Sequence, residues 1–234
     1  MNRTYERRWL KFAKGEKMKF IGHLDLLRVF RAAIRRSKLP IAYSMGFNPH
    51  QRISFALPLP VGMDSTCEYM ELMLDEPVIV NELKKALDAQ LPDGLRILSV
   101  YEVSENAPRL AAALTASDYR MIFPGVEEAN IHIQTMLDAN EIKVMKKTKS
   151  LEKEADIRQD ILDLKYDPVG AVTMQLSTGS TRNLNPMLVA KTLFSSMNIS
   201  PAQHDLAITR LEMYGKKDDS NNEGQPVPLH NIAI

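Results

Sequence analysis

Residues 22–68 read GHLDLLRVFRAAIRRSKLPIAYSMGFNPHQRISFALPLPVGMDSTCE, and the change of period inside them decides the fold. From Leu24 the pattern is helical. At about 100° per residue, Leu26, Leu27, Val29, Phe30, Ala33 and Ile34 share one broad arc. Arg28, Arg31, Arg35 and Lys38 follow on a narrow arc beside it. Asp25 in the first turn and Arg35, Arg36 and Lys38 in the last suit the helix dipole, and Pro40 is expected to end the element. A loop rich in polar and aromatic groups, Tyr43 to His50, comes next. Arg52 to Pro58 then changes to the pattern of a strand.

Working outward, Arg7 to Ala13 alternates like a strand, and Lys17 to Ile21 either extends it or forms a hairpin partner. Downstream, Tyr69 to Leu74 is a strand. Asn81 is a plausible N-cap for a helix carrying Leu83, Leu87 and Leu91 on one face. Pro92-Asp93-Gly94 is a turn, and Leu95 to Val103 alternates again. The order is strand, helix, strand, strand, helix, strand. After a connection over residues 104–117 the order recurs: Tyr119 to Phe123, a helix from Glu127 to Ala139, a second strand at Glu141 to Lys147, an insertion or long strand to Pro168, and a third strand at Ala171 to Ser177. Asn185-Pro186 then opens a helix, and Ala207 to Tyr214 closes the set. The expected fold is α+β: two tandem ferredoxin-like (βαββαβ) units with antiparallel sheets, over residues 1–104 and 118–215. Residues 216–234 read as a polar tail, mobile or loosely docked.

A formal net charge of +1 conceals a strong asymmetry. Residues 1–60 carry 13 basic and 3 acidic side chains, and the remainder carries 17 and 26, so the two parts balance at +10 and −9. Such a division suggests a basic surface for an anionic partner. The single cysteine, Cys67, excludes an internal disulfide and any multi-cysteine metal site, and fits a reducing compartment. The N-terminus has no apolar leader, and no apolar run approaches the roughly 20 residues of a membrane helix. The expectation is a cytoplasmic protein away from the membrane.

Three constellations carry possible chemistry. Arg28, Arg31, Arg35, Lys38 and Arg52, with Arg7, Arg8 and Lys11 nearby, form a nucleic-acid footprint if they meet successive phosphates; the competing reading is a solvated helix face. In the loop, Tyr43, Phe47 and His50 offer stacking surfaces while Ser44 and Asn48 offer hydrogen bonds, a combination suited to a single-stranded RNA base or a nucleotide-like ligand. The competing reading buries Tyr43 and Phe47 in the core. His23, Asp25, His50 and Glu68 are candidates for acid–base catalysis. Their spacing matches no metal motif, and no metal or cofactor is expected. There is no GxxxxGK[ST] loop and no GxGxxG after a strand.

GHLDLLR (22–28), YSMGFNPH (43–50), SFALPLPVG (54–62) and the Ser65/Glu68 pair resemble the radical-SAM-linked protein family, a bacterial group found beside, or fused to, radical S-adenosylmethionine proteins. The resemblance is dense over residues 5–100 and persists as ADIRQDIL (155–162) and the NLNP helix start (183–186). It implies a radical SAM protein as partner. The chain is not that enzyme, because radical SAM proteins hold their cluster with a CxxxCxxC motif and this sequence has one cysteine. Two further families share the paired architecture. The glycine-rich C-terminal loop of CRISPR repeat-processing endonucleases is missing, as is the Arg-Thr-Asp context of dimeric-type pseudouridine synthases. The expected function is therefore non-catalytic: an RNA-binding or substrate-presenting partner of a radical SAM enzyme in RNA modification. The alternatives are a small hydrolase or RNA-cleaving enzyme using His23, Asp25, His50 and Glu68, and a protein–protein adaptor.

Overall fold

The structure, a computed structural model, describes residues 5–122, 129–147, 152–167, 170–199, 206–216 and 226–233. The fold is mixed α+β, with five α-helices among the described residues. In chain order the first elements are β1 (Glu6–Lys14), α1 (His23–Ser37), β2 (Ile53–Phe55), β3 (Asp64–Leu74), α2 (Val80–Asp88), β4 (Leu95–Glu102) and α3 (Leu110–Ala113). Then come β5 (Leu114–Ile122), α4 (Ala129–Asp138), β6 (Lys143–Lys147), β7 (Glu152–Asp156), β8 (Ile161–Asp167), β9 (Ala171–Ser177), α5 (Pro186–Ser196), β10 (Ala207–Lys216) and β11 (Pro226–Pro228). The chain divides into two compact units: Met1–Leu114 with Glu212–Ile234, and Thr115–Leu211.

In the first unit β1 lies between β4 and β3, antiparallel to both, and β2 adds to β3. Alternation along β1 and β3 sends side chains to two faces, and both faces are covered. Leu10, Phe12, Met70, Leu72 and Leu74 pack against Leu26, Phe30, Ala33 and Ile34 of α1 and Leu83 and Leu87 of α2. On the opposite face Trp9, Cys67 and Tyr69 pack with Leu110, Ala113, Met213, Leu229, Ile232 and Ala233. This double cover explains why β3 is buried almost without interruption from Ser65 to Leu74.

Several elements differ from expectation. Lys17 to Ile21 is no strand; Glu16–Met18 form a 3-10 turn, and buried Lys14 donates from Nζ to the carbonyls of Lys19 and Ile21 at 3.3 and 3.0 Å. Helix α1 stops at Ser37, with Lys38 in the left-handed region at φ 55°, before Pro40 is reached. Helix α2 begins one residue before Asn81, with Ile79 at the N-cap position and no side-chain cap, so Asn81 lies inside the first turn. The expected mobile tail is docked where it is described. Residues 226–233 form β11 on β10 and a 3-10 turn at Leu229–Ile232, because Leu229, Ile232 and Ala233 complete the second face of the sheet. Gly215 makes this possible. A Cβ there would stand 2.5 Å from the carbonyl of Ala113 and collide with the Ile232 side chain. Gly215→Ala is expected to cost about 1–3 kcal/mol as an overpacking change. Faster proteolysis of the C-terminal segment, with the rest of the unit still folded, is the readout.

In the second unit the strands run β10-β5-β9-β8, with β5–β9 and β9–β8 antiparallel. Glu141 to Lys147 was expected to be a sheet strand, but among the described residues β6 pairs only with β7, as a separate two-stranded hairpin. KVMKK and EKEAD offer almost no apolar face to bury, whereas β8 buries Ile161 and Leu164 and takes the sheet position. Helix α5 begins as expected, with Asn185 Oδ1 accepting from Met187 N at 2.9 Å and Pro186 in the first turn. Phe123, Glu127, Thr148, Lys149 and residues 217–225 lie outside the described residues. Among the described residues no helix is long and apolar enough to cross a membrane.

Candidate ligand-binding groove

The site is built on the edge of the first unit where the chain runs from α1 back to β3. Ala42 N donates to Met73 O at 2.8 Å, Arg52 N to Ala42 O at 2.8 Å and Met73 N to Arg52 O at 3.1 Å. Between these anchors the loop closes on itself. Ser44 N donates to His50 O at 2.9 Å, His50 N to Ser44 Oγ at 3.0 Å, and His50 Nδ1 stands 2.9 Å from Asn48 O. Gly46 takes φ 114°, a conformation that side-chain-bearing residues rarely adopt. The tied neck holds the tip outward: Met45 is 88% and Phe47 106% exposed. Tyr43 is also exposed, so neither aromatic belongs to the core.

Below the loop is a groove of about 410 Å³, lined by Ser44, His50, Gln51, Arg52, Glu71 and Arg109, among others. Glu71 anchors its wall. In register opposite Trp9, it accepts from Trp9 Nε1 at 2.8 Å, Arg7 Nη2 at 2.8 Å and Arg109 Nη1 at 3.1 Å. Burial alone would raise the Glu71 carboxyl, but Arg7, Trp9 and Arg109 outweigh it and hold the group below the ordinary range, ionised. Arg7 also donates to the carbonyls of Ala107 and Pro108, each at 2.8 Å, which fixes the segment carrying Arg109. The Arg52 guanidinium stacks 4.5 Å from the Tyr5 ring centroid. Gln51 is 6% exposed, and its Oε1 has no donor among the described residues.

A second polar cluster sits inside the same unit. Glu212 accepts from Lys11 Nζ at 2.6 Å and from Cys67 Sγ at 2.8 Å. Tyr69 Oη lies 3.4 Å from Glu212 Oε1 and 2.9 Å from His230 Nδ1, and the His230 ring stacks on Tyr101 at 5.0 Å. Burial pushes the Cys67 thiol well up, and the Glu212 carboxylate adds to the effect, which favours the protonated sulfur. Burial would also raise Glu212, but its bonds to Cys67 and Lys11 keep it below the ordinary carboxylate value. The cluster's chemistry is that of a satisfied buried network. Burial, with Lys11 nearby and only partly countered by Glu212, holds the His230 imidazole below its ordinary 6.5. The docked segment therefore favours neutral His230, whereas the undocked chain takes up a proton near pH 6.5. Docking should weaken as pH falls below that value. Hydrogen exchange of residues 229–233 at falling pH should show faster opening, an effect that His230→Gln removes.

The sequence candidates fall in different places. Arg28 is paired with Asp25 at 2.6 Å on the exposed face of α1. Arg31 is half-buried, while Arg35 and Lys38 are exposed. Arg52, Ser44 and His50 border the groove; Tyr43, Phe47 and Asn48 belong to its overhanging loop. Of the four acid–base candidates only His50 lines the groove. His23 packs edge-on to Phe55 at 5.4 Å, Asp25 is engaged by Arg28, and Glu68 is buried in β3. No three His, Cys, Asp or Glu side chains among the described residues are grouped to hold a metal ion. Sequence reasoning did not single out Glu71, Arg109 or Gln51. A carboxylate inside the apolar run YMELML was the available signal, since such a group must find cations.

A family model described as "Uncharacterized protein conserved in bacteria (DUF2344)" matches residues 7–186, and the chain belongs to that family. No curated protein matches the chain.

Proposed function

We propose that the chain is a non-catalytic RNA-binding module that presents a nucleotide to a radical SAM partner enzyme. The observation carrying this reading is the loop at residues 43–50, which holds the fully exposed Phe47 outward on a hydrogen-bonded neck. A large aromatic kept in water by a closed loop is a stacking surface awaiting a flat ligand. The same unit carries cationic groups: Arg52 and Arg109 line the groove, and Arg35 is exposed on α1 with Lys38 at its C-terminal end. The partner rests on the resemblance of the GHLDLLR, YSMGFNPH and SFALPLPVG motifs, and on a lone buried cysteine that cannot ligate a cluster. We also read each unit as ferredoxin-like. Strand order β4-β1-β3-β2 in the first supports this, as does β10-β5-β9-β8 in the second once the β6–β7 hairpin is set aside.

A fluorescent single-stranded RNA titrated with the full chain at low salt tests the binding claim. Wild type should bind, and Arg35→Glu with Lys38→Glu should weaken binding by about tenfold or more. Unchanged affinity in the double variant would remove the basic face from the account. The enzymatic reading through His23, Asp25, His50 and Glu68 has less support, since only His50 borders the groove.

A further inference from the structure

We infer that the groove binds a phosphate monoester, the phosphorylated end of an RNA strand or of a nucleotide, met by Arg52 and Arg109. This deepens the RNA-binding reading and rests on it. Strand register brings the groups together. Ser54 of β2 lies opposite Glu71 of β3, and Arg52, two residues earlier, accepts at its carbonyl from Met73 N at 3.1 Å. Residues two apart on a strand share a face, so Arg52 and Ser54 stand with Glu71 and Met73. Arg109, at the N-cap position of α3, reaches the Glu71 carboxylate from the other side of the groove. Ser44 joins the same lining from the loop neck. The volume of about 410 Å³ lies in the range of small-molecule sites.

Charge decides the class of ligand. Glu71 is the one acidic side chain in the lining among the described residues, and its charge is already answered. Arg7 Nη2 donates to its Oε2 at 2.8 Å and Arg109 Nη1 to its Oε1 at 3.1 Å. Arg52 has no ion pair among the described residues; Tyr5 covers a face of its guanidinium and leaves the N–H edge for a ligand. Setting Arg7, Arg52 and Arg109 against Glu71 leaves two positive charges in excess. A phosphate monoester carries a charge of about −1.5 to −2 at neutral pH and balances that excess. A phosphodiester or a carboxylate brings one negative charge and does not. The donors suit the same group. Arg109 commits Nη1 to Glu71 and, 61% exposed, keeps further N–H groups for paired bonds to phosphate oxygens. Ser44 Oγ accepts from His50 N at 3.0 Å, so its own proton remains to donate.

The test titrates the full chain with one fluorescent single-stranded RNA bearing a 5′-phosphate, a 3′-phosphate or neither. Calorimetry with 5′-AMP, 3′-AMP, adenosine and adenosine 2′,3′-cyclic phosphate, a diester, runs beside it. A phosphorylated strand should bind about tenfold tighter than the unphosphorylated one, and an AMP about tenfold tighter than adenosine or the cyclic diester. A preference among the strands assigns the site to an RNA end; a preference confined to AMP assigns it to a free nucleotide. Arg52→Gln and Arg109→Gln should each bring these ratios close to one. If Arg52→Gln fails to fold, the exposed Arg109 variant still decides. No phosphate preference in either series, a cyclic diester as tight as AMP, or unchanged ratios in Arg109→Gln each overturns the assignment. The two claims fail separately. RNA binding with no phosphate preference overturns the groove assignment alone, and AMP preferred over adenosine with no strand bound overturns the RNA reading alone.

Discussion

Glu71→Ala is expected to lower the free energy of unfolding of the first unit by about 3–5 kcal/mol, the cost of stranding buried cationic partners. The carboxylate is 4% exposed and joins Arg7, Trp9 and Arg109. Its removal leaves the Arg7 guanidinium, itself 13% exposed, without its counter-charge, and the Trp9 indole N–H without an acceptor. A loss of that size is a large share of a domain's total stability. Glu71→Gln keeps an acceptor for the indole and should cost less. Trp9 is the chain's one tryptophan, fully buried and bonded to the substituted group, so urea unfolding followed by its fluorescence reports the change directly. A loss below about 1 kcal/mol would place this interaction with ordinary surface pairs. Because Glu71 and Glu212 both titrate below 4.5, the stability they supply is present at neutral pH and is lost as acid protonates them below that value.

Phe47→Ala should do the opposite: change stability by no more than about 0.5 kcal/mol, yet weaken single-stranded RNA binding by about 1–3 kcal/mol. The ring buries no area in the folded chain and therefore contributes nothing to its core. Its only physical opportunity for burial is against a ligand. Thermal unfolding and an RNA titration on the same preparation separate the two effects. A lower melting temperature with unchanged RNA affinity would mean that the loop tip is structural.

The periodicity of residues 22–68 made helix α1 and the strand after the loop legible, because an apolar arc at helical spacing has to face a core. The helix Asn185-Pro186 announced was equally plain, since its cap is local. Features assembled by register from distant positions were hidden. Lys11, Cys67, Glu212 and His230 meet only because β1, β3, β10 and the C-terminal turn share one face. The segment Leu229–Ile232 follows a polar stretch, so its few apolar residues looked too sparse to dock; their partner is Trp9, over two hundred residues earlier. For β6 and β7, alternation suggested strands correctly and said nothing about which sheet they would join. The groove was half legible: the loop residues stood out, while Glu71 and Arg109 did not, being separated in sequence and joined by an ion pair.

The central claim, that the first unit binds RNA through phosphates and a stacking loop, is tested most directly by the salt dependence of single-stranded RNA affinity. With about four phosphates neutralised by groups such as Arg35, Lys38, Arg52 and Arg109, log K against log salt should fall with a slope of about −3. The slope should flatten toward about −1.5 in Arg35→Glu with Lys38→Glu, as two of those contacts disappear. No binding at low salt, or a slope near zero in the wild-type chain, would contradict the account.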